Sequence, residues 1–254
     1  MKTRRHSWQV RKMVYSLALI SGLALMVFSC KKDEDDGVIT EAEMAEAAAQ
    51  TISSQGGGMV EQTNAALKVV TTLEAAADKA KLKDYCGYSD TKTLTSANAD
   101  TASYYIWSYG LTWTYNLTCT EKVPTEFGFK SVGRALYDFP RMSSDDSVTN
   151  ILTVTGLISD SALYKVNLTY NRMGTQQAKF GKMHKFTSTV KIVSSNIYIN
   201  KTTMKIASGT ATVVIKGESS GGKSFQLSGN LVFSGNDAAS LTMNDTKYTV
   251  SWIR

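Results

Sequence analysis

The sequence predicts a mainly β protein of the α+β class. The expected architecture is an antiparallel meander sheet, curved into an open barrel or folded into a sandwich, with helices at its N-terminal end. Three observations predict it. From residue 100 onward, apolar side chains recur with a period of two. Residues 40–83 follow helical spacing instead. No helical segment lies between the expected strands, so no crossover is available to make them parallel.

The helices come first. Thr40-Glu41-Ala42-Glu43 is a capping-box pattern that opens a helix running to about Ile52. Ser53-Ser54-Gln55-Gly56-Gly57-Gly58 ends it. A second helix is expected from about Met59 to Lys83, with Val60, Leu67, Val70, Leu73 and Ala77 along one face. Its many alanines make that stripe narrow, as suits either a core helix or a loosely docked arm.

The strands follow. In SYYIWSYGLTWTYNLTC the apolar phase holds Tyr105, Trp107, Tyr109, Leu111, Trp113, Tyr115, Leu117 and Cys119, with polar residues or glycine at most positions between them. Ala162, Tyr164, Val166, Leu168 and Tyr170 repeat the pattern, as do Phe225, Leu227, Leu231 and Phe233. Tyr248, Val250 and Trp252 share one face of the last strand. Turns are expected at Asn171–Gly174, Ser219–Gly222, Gly235–Asp237 and Asn244–Asp245. Pro124 and Pro140 are the chain's two prolines, so residues 141–254 contain none of the residues least suited to a sheet interior. Eight to ten strands are expected.

The first 29 residues carry Lys2, Arg4, Arg5, Arg11 and Lys12 and no acid, and an apolar run extends from Met13 to Phe28. A basic start followed by a short apolar segment is the pattern of a secretory signal, and the run is short for a membrane span. Val27-Phe28-Ser29-Cys30 resembles a bacterial lipobox, with Val27 where Leu is usual and Ser29 where Gly or Ala is usual. The resemblance implies that Cys30 is acylated and becomes the first residue of the mature chain. Lys31-Lys32-Asp33-Glu34-Asp35-Asp36 resembles the export signal of Bacteroidetes surface lipoproteins, which implies an outer-membrane anchor and exposure at the cell surface. The C-terminal run from Ser208 to Val250 is similar to the endings of many uncharacterised Bacteroidetes lipoproteins, a group that implies no activity.

The expected organisation is therefore a signal over 1–29, an acylated polar tether over 30–39, a helical region and connector over 40–99 and a β domain over 100–254. Signal removal changes the charge. The chain has 28 bases and 22 acids, and the signal removes five bases, leaving 23 − 22 = +1. Near-neutral charge without a clustered basic face argues against a nucleic-acid partner. The expected partners are a membrane, reached through the lipid, and a glycan, lipid or protein ligand. Cys86 and Cys119 remain once Cys30 is acylated, and in an exported chain two cysteines suggest one disulfide.

Catalytic patterns are sparse. His184 is the one histidine after the signal, in phase with Phe180, Phe186, Val190 and Ile192, which reads as a core or rim position. A histidine-based metal cluster is arithmetically excluded, and no GxSxG elbow or phosphate-binding loop occurs. Neither a cofactor nor a metal is expected, and the expected role is non-enzymatic. Trp107, Tyr109 and Trp113 are the candidate ligand-binding residues, as a stacking platform or a cavity lining, with a core role as the alternative. The triplets that begin at Asp100, Asp146 and Asp160 resemble the Asp-Ser/Thr-apolar acceptor for O-glycosylation in exported Bacteroidetes proteins, which makes Thr101, Ser147 and Ser161 candidate sites. The resulting expectation is a surface lipoprotein with a binding or structural envelope role. The alternative is a carrier that holds a lipid or other apolar ligand in a cavity under the sheet.

Overall fold

The computed structural model describes residues 37–76, 82–98, 104–157 and 161–252. Cys30, the acidic run and Thr101 lie outside these residues. Gly37–Arg254 forms one compact unit. It opens with helix α1 (Glu41–Ile52), helix α2 (Met59–Ala76) and a short 3₁₀ turn (Leu82–Tyr85). Ten strands follow: β1 (Ser89–Asn98), β2 (Ile106–Thr120), β3 (Val123–Asp138), β4 (Met142–Thr155), β5 (Leu163–Ala178), β6 (Lys185–Asn200), β7 (Ile206–Ser219), β8 (Ser224–Phe233), β9 (Ala238–Met243) and β10 (Thr246–Ser251).

The strands form one antiparallel sheet in strict sequence order from β1 to β10. The sheet is open, not closed into a barrel. Because there is a single sheet, the sandwich alternative is set aside. The strands are long. β3, β5 and β6 each have 16 residues, about 54 Å at 3.4 Å per residue.

Alternation gives the sheet one apolar face and one polar face. On the inner face, Leu117, Phe127, Val154, Val166 and Ile197 form one cross-strand row, fully buried or nearly so. The helices pack on that face. Ile52, Met59, Val60, Leu67 and Val70 join Tyr164, Tyr170, Phe127 and Ile192 in one core. The narrow stripe of α2 is therefore a core face, not that of a loose arm. α1 starts as its sequence dictates, with both halves of the Thr40–Glu43 capping box formed.

Four expectations change. The expected turn at Asn171–Gly174 lies inside β5, because Arg172 points inward in phase with Leu168 and Tyr170. β1 occupies most of the expected connector at 86–99. Ile39 is buried in the core, so the fold takes up the last residues assigned to the tether. The described part of α2 ends at Ala76, short of Lys83.

Neighbouring strands approach closely at two inward-facing glycines. A Cβ on Gly174 would lie 2.0 Å from the Asp145 carbonyl oxygen, and one on Gly217 would lie 1.9 Å from that of Thr187. Any side chain there would push the neighbouring strand away, so the close approach requires glycine.

Candidate functional site

The aromatic strand is the first place to look. Tyr109 and Trp113 are buried in the core, and Trp107 is half-buried and stacks on Tyr109 at 5.8 Å. This corrects the expectation of an accessible platform. The cause is the glycine turn between the helices. Gly56 and Gly57 have φ of +62° and +73°, and a Cβ on Gly57 would lie 3.3 Å from the Tyr109 Cβ. Without side chains, this backbone lies flat on Trp107, Tyr109, Ala135 and Tyr137. Beyond it, Trp113 packs edge-on against Phe129 at 5.0 Å.

Beneath the same turn lies a polar network that alternation alone does not reveal. Arg172 and Asp146 are 2 % and 1 % exposed, and Arg172 Nε donates to Asp146 Oδ2 at 2.5 Å. Gln176 Nε2 donates to Asp146 Oδ1 at 2.7 Å, Ser188 Oγ donates to Gln176 Oε1 at 2.8 Å, and Ser144 Oγ donates to Asp146. The guanidinium also stands over the Tyr137 ring, 4.8 Å from its centroid. Its Nη1 and Nη2 are buried and donate to no hydrogen-bond acceptor among the described residues. Above the network, Tyr170 donates to the Gly57 carbonyl at 2.7 Å, and the Gly57 N–H donates to Glu61 Oε2 at 2.7 Å. Burial pushes the Glu61 carboxyl above its ordinary value, and its bonds to Gly57 and Tyr109 only partly offset that. The network ties β4, β5 and β6 together, while Tyr170 and Glu61 fix the helix turn above it. Its side chains are all buried, which makes it structural in geometry.

The helices pack against the inner face. The void bounded by Val70, Leu73, Glu74, Leu117, Phe127 and Leu157 measures about 10 Å³, which is room for at most about one water. Among the described residues, no group of three or more His, Cys, Asp or Glu is placed to hold a metal ion.

The outer face is different. Thr112, Thr114, Thr149, Thr169, Thr187 and Thr212 point outward, with the exposed Val132, Ile151 and Val193 among them. Short side chains in register leave troughs that cross the strands. One, about 790 Å³, is walled by Met173–Thr189–Lys216–Gln226 on one side and Thr175–Thr187–Glu218–Ser224 on the other. Its floor is the backbone of Gly174, Ser188, Gly217 and Phe225, the row that holds the two close-approach glycines. A second trough of about 600 Å³ crosses β6, β7 and β8 beside Val193, Thr212 and Asn230. These surfaces are rich in hydroxyl and amide groups, with Lys216 and Glu218 on opposite walls.

The remaining candidates are scattered. Cys86 and Cys119 form a disulfide with Cα atoms 5.5 Å apart, which joins the segment before β1 to the end of β2. Ser147 is exposed on β4 and donates to the Met173 carbonyl at 3.1 Å, but Asp146 and Val148 beside it are buried. That triplet cannot be read as a continuous motif in the folded chain. Ser161 is exposed just before β5. His184 is buried at the rim, its Nδ1 2.8 Å from Glu43 Oε2. The one sequence signal for the polar network was a charged residue in a buried phase: Arg172 after Leu168 and Tyr170, and Asp146 before Val148.

No protein-family model matches this chain, and no curated protein or solved structure matches it.

Proposed function

We propose that the protein is a lipid-anchored module of the bacterial outer membrane, exposed at the cell surface, with a non-enzymatic binding or structural role. The observation that carries the binding reading is the asymmetry of the sheet. Helices fill one face, and the other is a broad surface of hydroxyl and amide groups crossed by troughs. Such a surface suits an extended polar ligand, a glycan or a peptide, held by many short side chains. The filled inner face favours this reading over a carrier of lipid or another apolar ligand, which needs a cavity of several hundred cubic ångströms. The anchor itself is carried by Cys30 and the acidic run after it.

Two experiments test the reading. Cells fed a clickable fatty acid should label the wild type and leave Cys30→Ala unlabelled; equal label in both would remove the anchor. A glycan and peptide array, probed with wild type and with Thr187→Trp, should show binding that the variant loses. Native mass spectrometry of protein purified from its own host supplies the counter-test, because stoichiometric bound lipid would replace this reading with the carrier.

A further inference from the structure

The chain enters the fold at one end of the sheet. A Cβ on Gly37 would lie 3.8 Å from Ser219 Oγ and 3.9 Å from Gly221 Cα, beside the β7–β8 turn. Three turns line this end in a row. The Lys179 N–H, in the β5–β6 turn, donates to the Arg141 carbonyl of the β3–β4 turn at 2.8 Å. The Ser220 N–H, in the β7–β8 turn, donates to the Lys185 carbonyl at 2.9 Å. Tyr105, at the start of β2, packs on Phe139 in the same row at 5.4 Å.

These three turns are one-sided in composition, while the β9–β10 turn towards the same end carries Asp245. Residues 139–141, 179–184 and 220–223 carry Arg141, Lys179, Lys182 and Lys223 and no acid, and Lys185 follows directly. Asp138 pairs with Lys179, and Glu46 pairs with Arg141. Large apolar groups stand among the bases: Tyr104 is 83 % exposed and Met183 is 60 % exposed. Met183 is held outward by a left-handed backbone, with φ of +54°. The turns at the opposite end mix signs, with Glu121, Lys122, Lys201, Lys205 and Asp237.

Bases interleaved with an exposed tyrosine and methionine match the boundary of a bilayer. Ammonium groups meet lipid phosphates there, and amphipathic rings sit at headgroup depth. From Cys30 to Gly37 the chain extends at most about 25 Å, so an acyl anchor would keep this end within reach of the headgroups. We infer that the Tyr104–Arg141–Met183–Lys185–Lys223 end of the sheet is a membrane-facing surface that rests on anionic lipid headgroups. The inference rests on the lipid-anchor reading for its geometry in the cell, though the contact itself needs no acyl chain. It leaves the troughs of the outer face clear of the bilayer for a ligand.

The test uses the mature chain with Cys30→Ser, so that no lipid contributes. Sedimentation with phosphatidylcholine vesicles, with and without one quarter phosphatidylglycerol, should show binding to the anionic vesicles alone, released by about 0.5 M salt. Lys185→Glu with Lys223→Glu should weaken that binding by roughly tenfold or more. Lys122→Glu with Lys130→Glu, away from this end, should leave it unchanged. Matching thermal melts would show that both variants are folded. Binding to both vesicle types alike, to neither, or unaffected by the first pair would overturn the inference. Binding that appears only after Asp33–Asp36 are made neutral would assign the basic rim to the tether instead. A dimer by light scattering that the first pair dissolves would assign it to a second copy. The fatty-acid labelling of Cys30 stands or falls separately, because no acyl chain enters this assay.

Discussion

One carboxylate, Glu43, joins the start of the helical region to His184, 141 residues away. Its Oε2 lies 2.8 Å from His184 Nδ1, and its Oε1 accepts the His184 backbone N–H at 3.1 Å. It also accepts the Thr40 N–H at 2.9 Å, so a single side chain closes the capping box and fixes α1 to the β5–β6 turn. Burial acts to raise the Glu43 carboxyl, but the bonds from His184 and Thr40 outweigh it and hold the pKa below its ordinary 4.5. The folded value is therefore below the unfolded one. Its contribution to stability is full above about pH 4.5 and fades as pH falls through the folded value. Glu43→Ala should cost about 3 kcal/mol at neutral pH, and the gap to wild type should narrow on acidification below pH 4.5. Urea melts across pH check this; a gap independent of pH would contradict it.

The Arg172–Asp146 pair invites a double-mutant cycle. Asp146→Ala leaves a buried guanidinium without its carboxylate and should cost about 3–5 kcal/mol. Arg172→Met with Asp146→Leu removes both charges and should cost much less than Asp146→Ala alone. Denaturant midpoints measure both. A double variant as unstable as the single one would mean that the surrounding serines and Gln176 depend on the pair.

Glu61 should behave in the opposite sense to Glu43. Its folded-state pKa is raised, so the favourable contribution is present below its unfolded value of about 4.5 and is lost as pH rises through the folded value. Glu61→Gln keeps an acceptor for the Gly57 N–H without the buried charge. It should melt higher than wild type at neutral pH, and the advantage should vanish on acidification.

The Cys86–Cys119 bond closes a loop with a sequence separation of 33. Chain entropy gives it about 3–4 kcal/mol. Reduction, or Cys86→Ser with Cys119→Ser, should lower the unfolding free energy from denaturant melts by that amount without altering the sheet's circular dichroism. Free thiols in freshly isolated protein would contradict the bond.

Much of this architecture was legible in the sequence, for a physical reason. Strand alternation records which side of a sheet is dry. Tyr105 to Leu117 and Tyr164 to Tyr170 gave both the strands and their inner faces. Thr40-Glu41-Ala42-Glu43 gave the start of α1, because a capping box is local chemistry. The polar network was hidden because a buried charge breaks the very alternation used to find strands. Arg172 and the nearby Gly174 therefore looked like a turn. The covering of Trp107 and Tyr109 was hidden for another reason. It depends on Gly56 and Gly57, about 50 residues earlier, and no local pattern reports where a distant turn will land.

The strict β1-to-β10 order has a consequence for how the chain matures. Each strand from β2 onward pairs with the one synthesised just before it, so a chain that emerges N-terminus first can zip its ladder as it appears. The helices have no such luck. Ile52, Met59 and Leu67 arrive before the strands that will bury them, including the β3 strand of Phe127 and the β5 strand of Tyr164 and Tyr170. During that interval their apolar stripe is open to the surroundings. A chaperone that holds exposed apolar segments would find its substrate there, in the first part of the fold to appear.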